Sequence, residues 1–184
     1  EMATEFAEQF AVAEGTAIVS GNGVGKPLGI TDASSGVGST NSTNANTLTA
    51  NGLYDLIYAL KSDYLRNAGF VMNRATFASI LQLQDGAGQK VFHVGLNLVS
   101  GAPSTIAGYG YTLAKDMPDI SAGTKPIAFG DFARAYTLVD RVNMSIVRDP
   151  FTQQHLGNVR YTARRRVGGA VVLAEAIQLQ NISA

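Results

Sequence analysis

The chain has 184 residues, with 14 basic and 14 acidic side chains and a formal net charge of zero; charged residues make up 15%, against about 25% in typical soluble domains. It contains no cysteine, which excludes a disulfide framework and thiolate metal ligation. No apolar run reaches the roughly 18 residues of a membrane-spanning helix and no signal-peptide pattern is visible, so no membrane partner is expected. The length suffices for one compact domain or two small ones.

Residues Glu1 to Glu14 are helical in composition, with Phe6 and Phe10 on one face, and Gly15 is expected to end that helix. Ala17-Ile18-Val19 then reads as a short apolar run leading into the glycine-rich Ser20 to Ile30. Thr31 to Thr49 is almost entirely Thr, Ser, Gly, Asn and Ala, which predicts an exposed, mobile loop. Thr49 or Asn51 can cap a helix whose apolar stripe is Leu53, Leu56, Ile57, Leu60 and Tyr64, stopped by Gly69. Phe70 to Asn73 reads as a buried strand, Ala75 to Leu83 as a short helix, Asp85 to Gln89 as a turn and Val91 to Val94 as another strand.

From Phe129 to Ile182 the composition changes to alternating and β-branched residues, which predicts several long strands in one sheet. This region is also basic: seven Arg stand against three Asp between Asp131 and Arg166. The rest of the chain therefore carries the compensating acidic excess, a distribution suited to head-to-tail contact between copies. Arg164, Arg165 and Arg166 cannot enter an apolar core unpaired. They read as an intersubunit cluster, as contacts to nucleic-acid phosphates, or as a solvated strand edge.

Catalytic and ligand-binding signatures are not found. Ser20 to Pro27 lacks the first glycine and the final hydroxyl of a phosphate loop, and Lys26 stands where a dinucleotide-binding fingerprint needs its third glycine. His93 and His155 are the only histidines, with no nucleophile elbow or orienting acid nearby. No metal-ligand spacing is present. The chain therefore reads as no enzyme, with no catalytic residue, cofactor or metal.

The order of motifs carries a resemblance. A helix is followed by Pro27-Leu28-Gly29-Ile30, Met72-Asn73, Gly108-Tyr109, Met117-Pro118 and Gly130-Asp131-Phe132. A Val-Asp-Arg strand, the Arg148-Asp149-Pro150-Phe151 corner, the Arg-rich strand and Ala176-Ile177-Gln178-Leu179 complete it. This succession resembles tailed-phage major capsid proteins, whose fold encapsulins share, over about Glu1 to Ile182. The resemblance implies an α+β fold with axial and peripheral subdomains: 1–15 the end of a spine helix, 16–129 the axial part with the loop 31–49, and 130–184 the long strands of the peripheral part. It also implies a fragment lacking the N-terminal arm and extended loop, expected to be monomeric or weakly associated by itself.

The function implied is a structural subunit of an icosahedral phage capsid, self-assembling into hexamers and pentamers around double-stranded DNA, in the virion and assembled in the bacterial host cytoplasm. Scaffolding, portal or decoration proteins are the further partners implied, with DNA on the inner face bound without sequence specificity. Arg148, Asp149, Phe151, Arg164, Arg165 and Arg166 are the intersubunit contacts expected. Some relatives form a Lys–Asn isopeptide bond; here the acceptor would fall near Gly157 or Asn158 and the assisting acid on Arg164, so no crosslink is expected. An encapsulin-type compartment shell is the alternative, and a soluble ligand-binding or adhesion domain a further one.

Overall fold

A computed structural model describes residues 2–42, 44, 47–84, 88–91 and 105–183. The chain begins with helix α1 (Met2–Ser20), followed by strand β1 (Gly38–Asn41), α2 (Ala50–Ala59), β2 (Gly69–Met72) and α3 (Arg74–Gln82). β3 (Thr105–Ile106), β4 (Tyr109–Leu113), β5 (Ile127–Gly130) and the single helical turn α4 (Phe132–Ala135) come next. Two long strands, β6 (Tyr136–Asp149) and β7 (Arg160–Val171), precede the final β8 (Ile177–Asn181). The strand expected over Val91 to Val94, with His93, lies almost wholly outside the described residues.

Six strands form a mixed sheet in the order β1-β8-β5-β2-β4-β3. Period-two alternation divides its faces. Phe70, Met72, Ile127 and Phe129 point to the side covered by Leu53, Leu56 and Ile57 of α2 and Ile80 of α3, all buried. Ala128, Ile177 and Leu179 point to the other side, against Val19, Ile30 and Met117. Phe70 stands directly opposite Phe129 across the antiparallel β2–β5 pair, ring centroids 4.5 Å apart, a cross-strand aromatic pair of the kind that fixes register.

The short motifs are caps. Thr49 accepts the Gly52 N–H and starts α2. Asn73 accepts the Thr76 N–H at 2.7 Å and starts α3, while its Nδ2 donates to the Met117 carbonyl. Asp131, nearly buried, accepts the Arg134 N–H and starts α4. Each satisfies a helix-start donor that would otherwise lack a partner.

Four expectations are corrected, the extent of the α2 stripe among them. First, the long strands do not share one sheet. Among the described residues β6 and β7 pair only with each other, whereas β8 joins the six-stranded sheet between β1 and β5. Second, the Thr31–Thr49 stretch is not simply an exposed loop: it contains β1, parallel to β8, and its Ser35, Ser42 and Leu48 are buried. Backbone pairing supplies what its polar side chains do not. The α2 stripe is also split, because the helix stops before Leu60 and Tyr64 sits in a following 3-10 helix, Ser62–Asn67.

Third, α1 does not stop at Gly15 but runs through Ala17-Ile18-Val19 to Ser20. A glycine inside a helix costs about 1 kcal/mol relative to alanine. Long-range bonds offset it: Thr16 Oγ1 donates to Asp116 Oδ1 at 2.8 Å. The N–H groups of Ile30 and Thr31 donate to the Ile18 and Val19 carbonyls at 2.9 and 3.1 Å. The returning segment thus caps the helix end, and it can do so only because two glycines cross. A Cβ on Gly21 would lie 2.1 Å from the Pro27 carbonyl oxygen, and one on Gly29 would lie 2.6 Å from that of Val19. Gly21→Ala should therefore lower stability by about 1–3 kcal/mol, the range for overpacking a closed site, read as a reduced urea midpoint. An unchanged midpoint would show that this crossing can open without cost.

Candidate functional site

Among the described residues the backbone bonds that anchor the β6–β7 ribbon lie at one end. Val172 and Leu173 N–H groups donate to the Ala135 carbonyl at 2.8 and 3.2 Å, and Leu28 N–H donates to the Gly169 carbonyl at 2.8 Å. The Tyr136 hydroxyl donates to the Leu28 carbonyl at 3.0 Å. The ribbon base, the glycine-rich turn and the end of α1 are therefore tied into one junction.

Alternation along β7 puts Arg165 on one face and Arg164 and Arg166 on the other. Arg165 bridges three elements: Nη1 is 2.8 Å from Glu14 of α1 and Nη2 is 2.7 Å from Asp140 of β6. These partners, the Asp140 hydrogen bond foremost, raise the guanidinium pKa above its usual value. The pairing assigns Arg165 a bond within the chain. The sequence does not single out Glu14, which falls four residues after Phe10 and lines the same groove as Arg165. An acid at such a position signals a cation beneath it.

The remaining candidates lie outside that contact. Arg164 and Arg166 are exposed, opposite Ser145 and Val142 of β6, with one register shift between those pairs and another before Val142. Arg148 and Asp149 end β6, opposite Tyr161 and Arg160. Phe151 follows at the far corner, 79% exposed. His155 sits in an exposed 3-10 turn, Gln154–Leu156.

Many apolar side chains of the ribbon are exposed with the charged ones, although Tyr136 and Val171 at its base pack against the core. Val139 and Val147 are 58% and 56% accessible, and Leu138, Val142, Ile146, Val159 and Tyr161 are also exposed. Among the described residues no third strand pairs with either outer edge of the ribbon, and Leu28 bonds the β7 edge at Gly169. A two-stranded hairpin is marginal in water by itself, and a row of free backbone donors and acceptors beside apolar side chains is a surface prepared for another chain.

Between α1, the glycine-rich turn and the ribbon runs a groove of about 700 Å³. Phe10, Ala17, Pro27 and Val167 give it apolar walls, and Lys26 and Arg141 add positive charge. A second groove, about 510 Å³, is lined by Tyr54, Tyr58, Leu65 and Tyr109 with no charged side chain. Among the described residues, no group of three or more His, Asp or Glu could hold a metal ion.

Two outcomes are expected of these contacts. Arg165→Met should leave Glu14 and Asp140 unpaired and raise amide exchange in α1 and the ribbon base while leaving β2, β5 and β8 protected. Equal loosening everywhere would show that Arg165 supports the whole fold instead. At the corner, Asp149 accepts from the Thr152 hydroxyl, the Phe151 N–H at 2.9 Å and the Thr152 N–H at 3.2 Å. These bonds hold its pKa below the ordinary aspartate value. A depressed carboxylate pKa stabilises the folded turn above the ordinary value and loses that effect as pH falls through the lowered one. The Phe151 and Thr152 amide resonances should therefore keep their neutral-pH positions to below the usual aspartate range and then move together. A transition at the unperturbed value would contradict the bonding.

Comparison with known proteins follows the same lines. A family model described as the phage capsid family matches residues 1–182. The capsid of an empty GTA particle is 35% identical with a TM-score of 0.87, and the alignment covers 100% of this chain and 65% of that one. The chain thus spans about 65% of the length of that relative. At lower identity the fold alone is shared. Gordonia phage Cozz gives 16% identity and a TM-score of 0.62 over 96% of this chain and 61% of that one. The holo-SrpI encapsulin complex of Synechococcus elongatus PCC 7942 gives 14% and 0.68 over 99% and 64%. A search of curated proteins finds no match.

Proposed function

We propose, from the premise that the chain belongs to the phage capsid family, that it serves as a structural subunit of an icosahedral shell whose copies form hexamers and pentamers around double-stranded DNA. The observation that carries this reading is the ribbon, fourteen and twelve residues long in its two strands, whose distal apolar side chains are exposed and whose strands pair with no third strand among the described residues. A neighbouring copy is the natural cover. Shells of this kind gain stability from many modest contacts acting together.

The six-stranded sheet with α2 and α3 forms the axial part in this proposal, now including β8, and α1 with the ribbon forms the peripheral part. Arg148, Asp149 and Phe151 at the corner, with Arg164 and Arg166 on the open face, make the contacts between copies. Arg165 acts indirectly, by holding α1 against the ribbon. Scaffolding, portal or decoration proteins are further partners, assembly takes place in the bacterial host cytoplasm, and inner-face cations meet DNA phosphates without reading sequence. The shared encapsulin fold supports a second reading, a protein-filled compartment.

The test is to express the full natural gene product, with and without the paired substitutions Val142→Asp and Val147→Asp. Both residues are exposed, so each substitution should alter free-subunit stability by no more than about 0.5 kcal/mol. Electron microscopy should show closed hollow particles for the unsubstituted protein and folded, unassembled subunits for the variant. Their contents, DNA or protein, separate the two readings. Particles of equal yield from the variant would remove the ribbon from the assembly interface.

A further inference from the structure

We infer that Asn22 is a site of spontaneous self-modification, deamidation through attack by the Gly23 peptide nitrogen, and that the fold protects the other Asn-Gly pair, Asn51-Gly52, from the same reaction. These are the two Asn-Gly pairs in the sequence. Without a Cβ on the following residue the peptide nitrogen can approach the side-chain carbonyl, so each pair is chemically competent. The structure makes them unequal.

Asn22 and Gly23 are exposed on the turn after α1. The Asn22 side chain folds back over its own chain: Oδ1 accepts the Val24 N–H at 3.2 Å. That bond ties the side-chain amide to the main chain two residues on. It also aims a backbone donor at the oxygen on which negative charge develops during attack, the arrangement that stabilises an oxyanion in acyl transfer. Asn51-Gly52 lies in the first turn of α2 instead. There the Gly52 N–H, the group that must lose its proton and attack, donates to Thr49 Oγ1 at 3.1 Å, and Gly52 is buried. Attack requires that the N-cap bond break and the helix start open.

The reaction needs only water and base. The Gly23 nitrogen loses its proton to solvent base and forms a bond to Asn22 Cγ; the Cγ–Nδ2 bond breaks and the nitrogen leaves as ammonia after taking a proton from water. Water then opens the five-membered succinimide at either carbonyl, giving aspartate or isoaspartate. No oxidation or reduction occurs. The product puts a carboxylate on the turn that contributes Gly23 and Lys26 to the cationic groove. In the isoaspartate form it also lengthens the main chain where Gly21, Leu28 and Gly29 are held in register.

The folded protein, incubated in mildly alkaline buffer and sampled by peptide mass spectrometry, should deamidate at Asn22 roughly fivefold or more faster than at Asn51, the factor that an N-cap bond of ordinary strength imposes. In urea the two rates should converge. Thr49→Ala should speed Asn51 alone, and Asn22→Gln should abolish modification at its own position. Equal rates in the folded protein, faster reaction at Asn51, or no reaction at Asn22 would each overturn the inference.

Discussion

Two antiparallel strands can bond each other but cannot cover themselves. Among the described residues no third strand joins the β6–β7 ribbon, and about half of the Val139, Val142, Ile146 and Val147 surface is left in water. Much of the structure answers that constraint at one end. α1 lies over part of one face, Arg165 pairs with Glu14 and Asp140, and Leu28 and Ala135 accept or donate the bonds that close the base. The glycine crossing at Gly21 and Gly29 exists so that this base and the helix end can meet.

The six-stranded sheet has no comparable need. Phe70, Met72, Ile127, Phe129, Ile177 and Leu179 are fully or almost fully buried, with helices on one face and the α1 end, Ile30 and Met117 against the other. Local opening follows such differences in burial and backbone exposure. The sheet is therefore the better protected part, and the far half of the ribbon is the more exposed one. In the proposed subunit this division is useful: the core specifies the chain, and the ribbon is left for pairing between copies.

Elements that announce themselves by local chemistry were legible in the sequence. The Thr49 cap, the Leu53-Leu56-Ile57 stripe, the strand at Phe70 and the second helix needed only neighbours within a few residues, as did the succession of short motifs that pointed to the capsid fold. What could not be read depends on partners distant in the chain. Nothing in Gly38-Ser39-Thr40-Asn41 marks a strand, because its order comes from pairing with Gln178 to Asn181. Gly15 reads as a stop until Asp116 and Ile30 are brought beside the helix. Ile177 and Leu179 correctly say strand but cannot say which sheet. Within the site, three consecutive arginines could be divided between two faces by alternation, yet the carboxylates beneath Arg165 came from folding α1 and β6 around it.

The central claim is that the ribbon is completed by another copy. Amide hydrogen exchange measured on free subunits and on assembled particles of the full-length protein tests it most directly. Assembly should slow exchange at the outer-edge and distal amides of β6 and β7, including the corner after Asp149, while β2, β5 and β8 remain as protected as before. Ribbon amides that exchange equally fast in subunit and particle would contradict the account, and the interface would have to be sought on the six-stranded sheet.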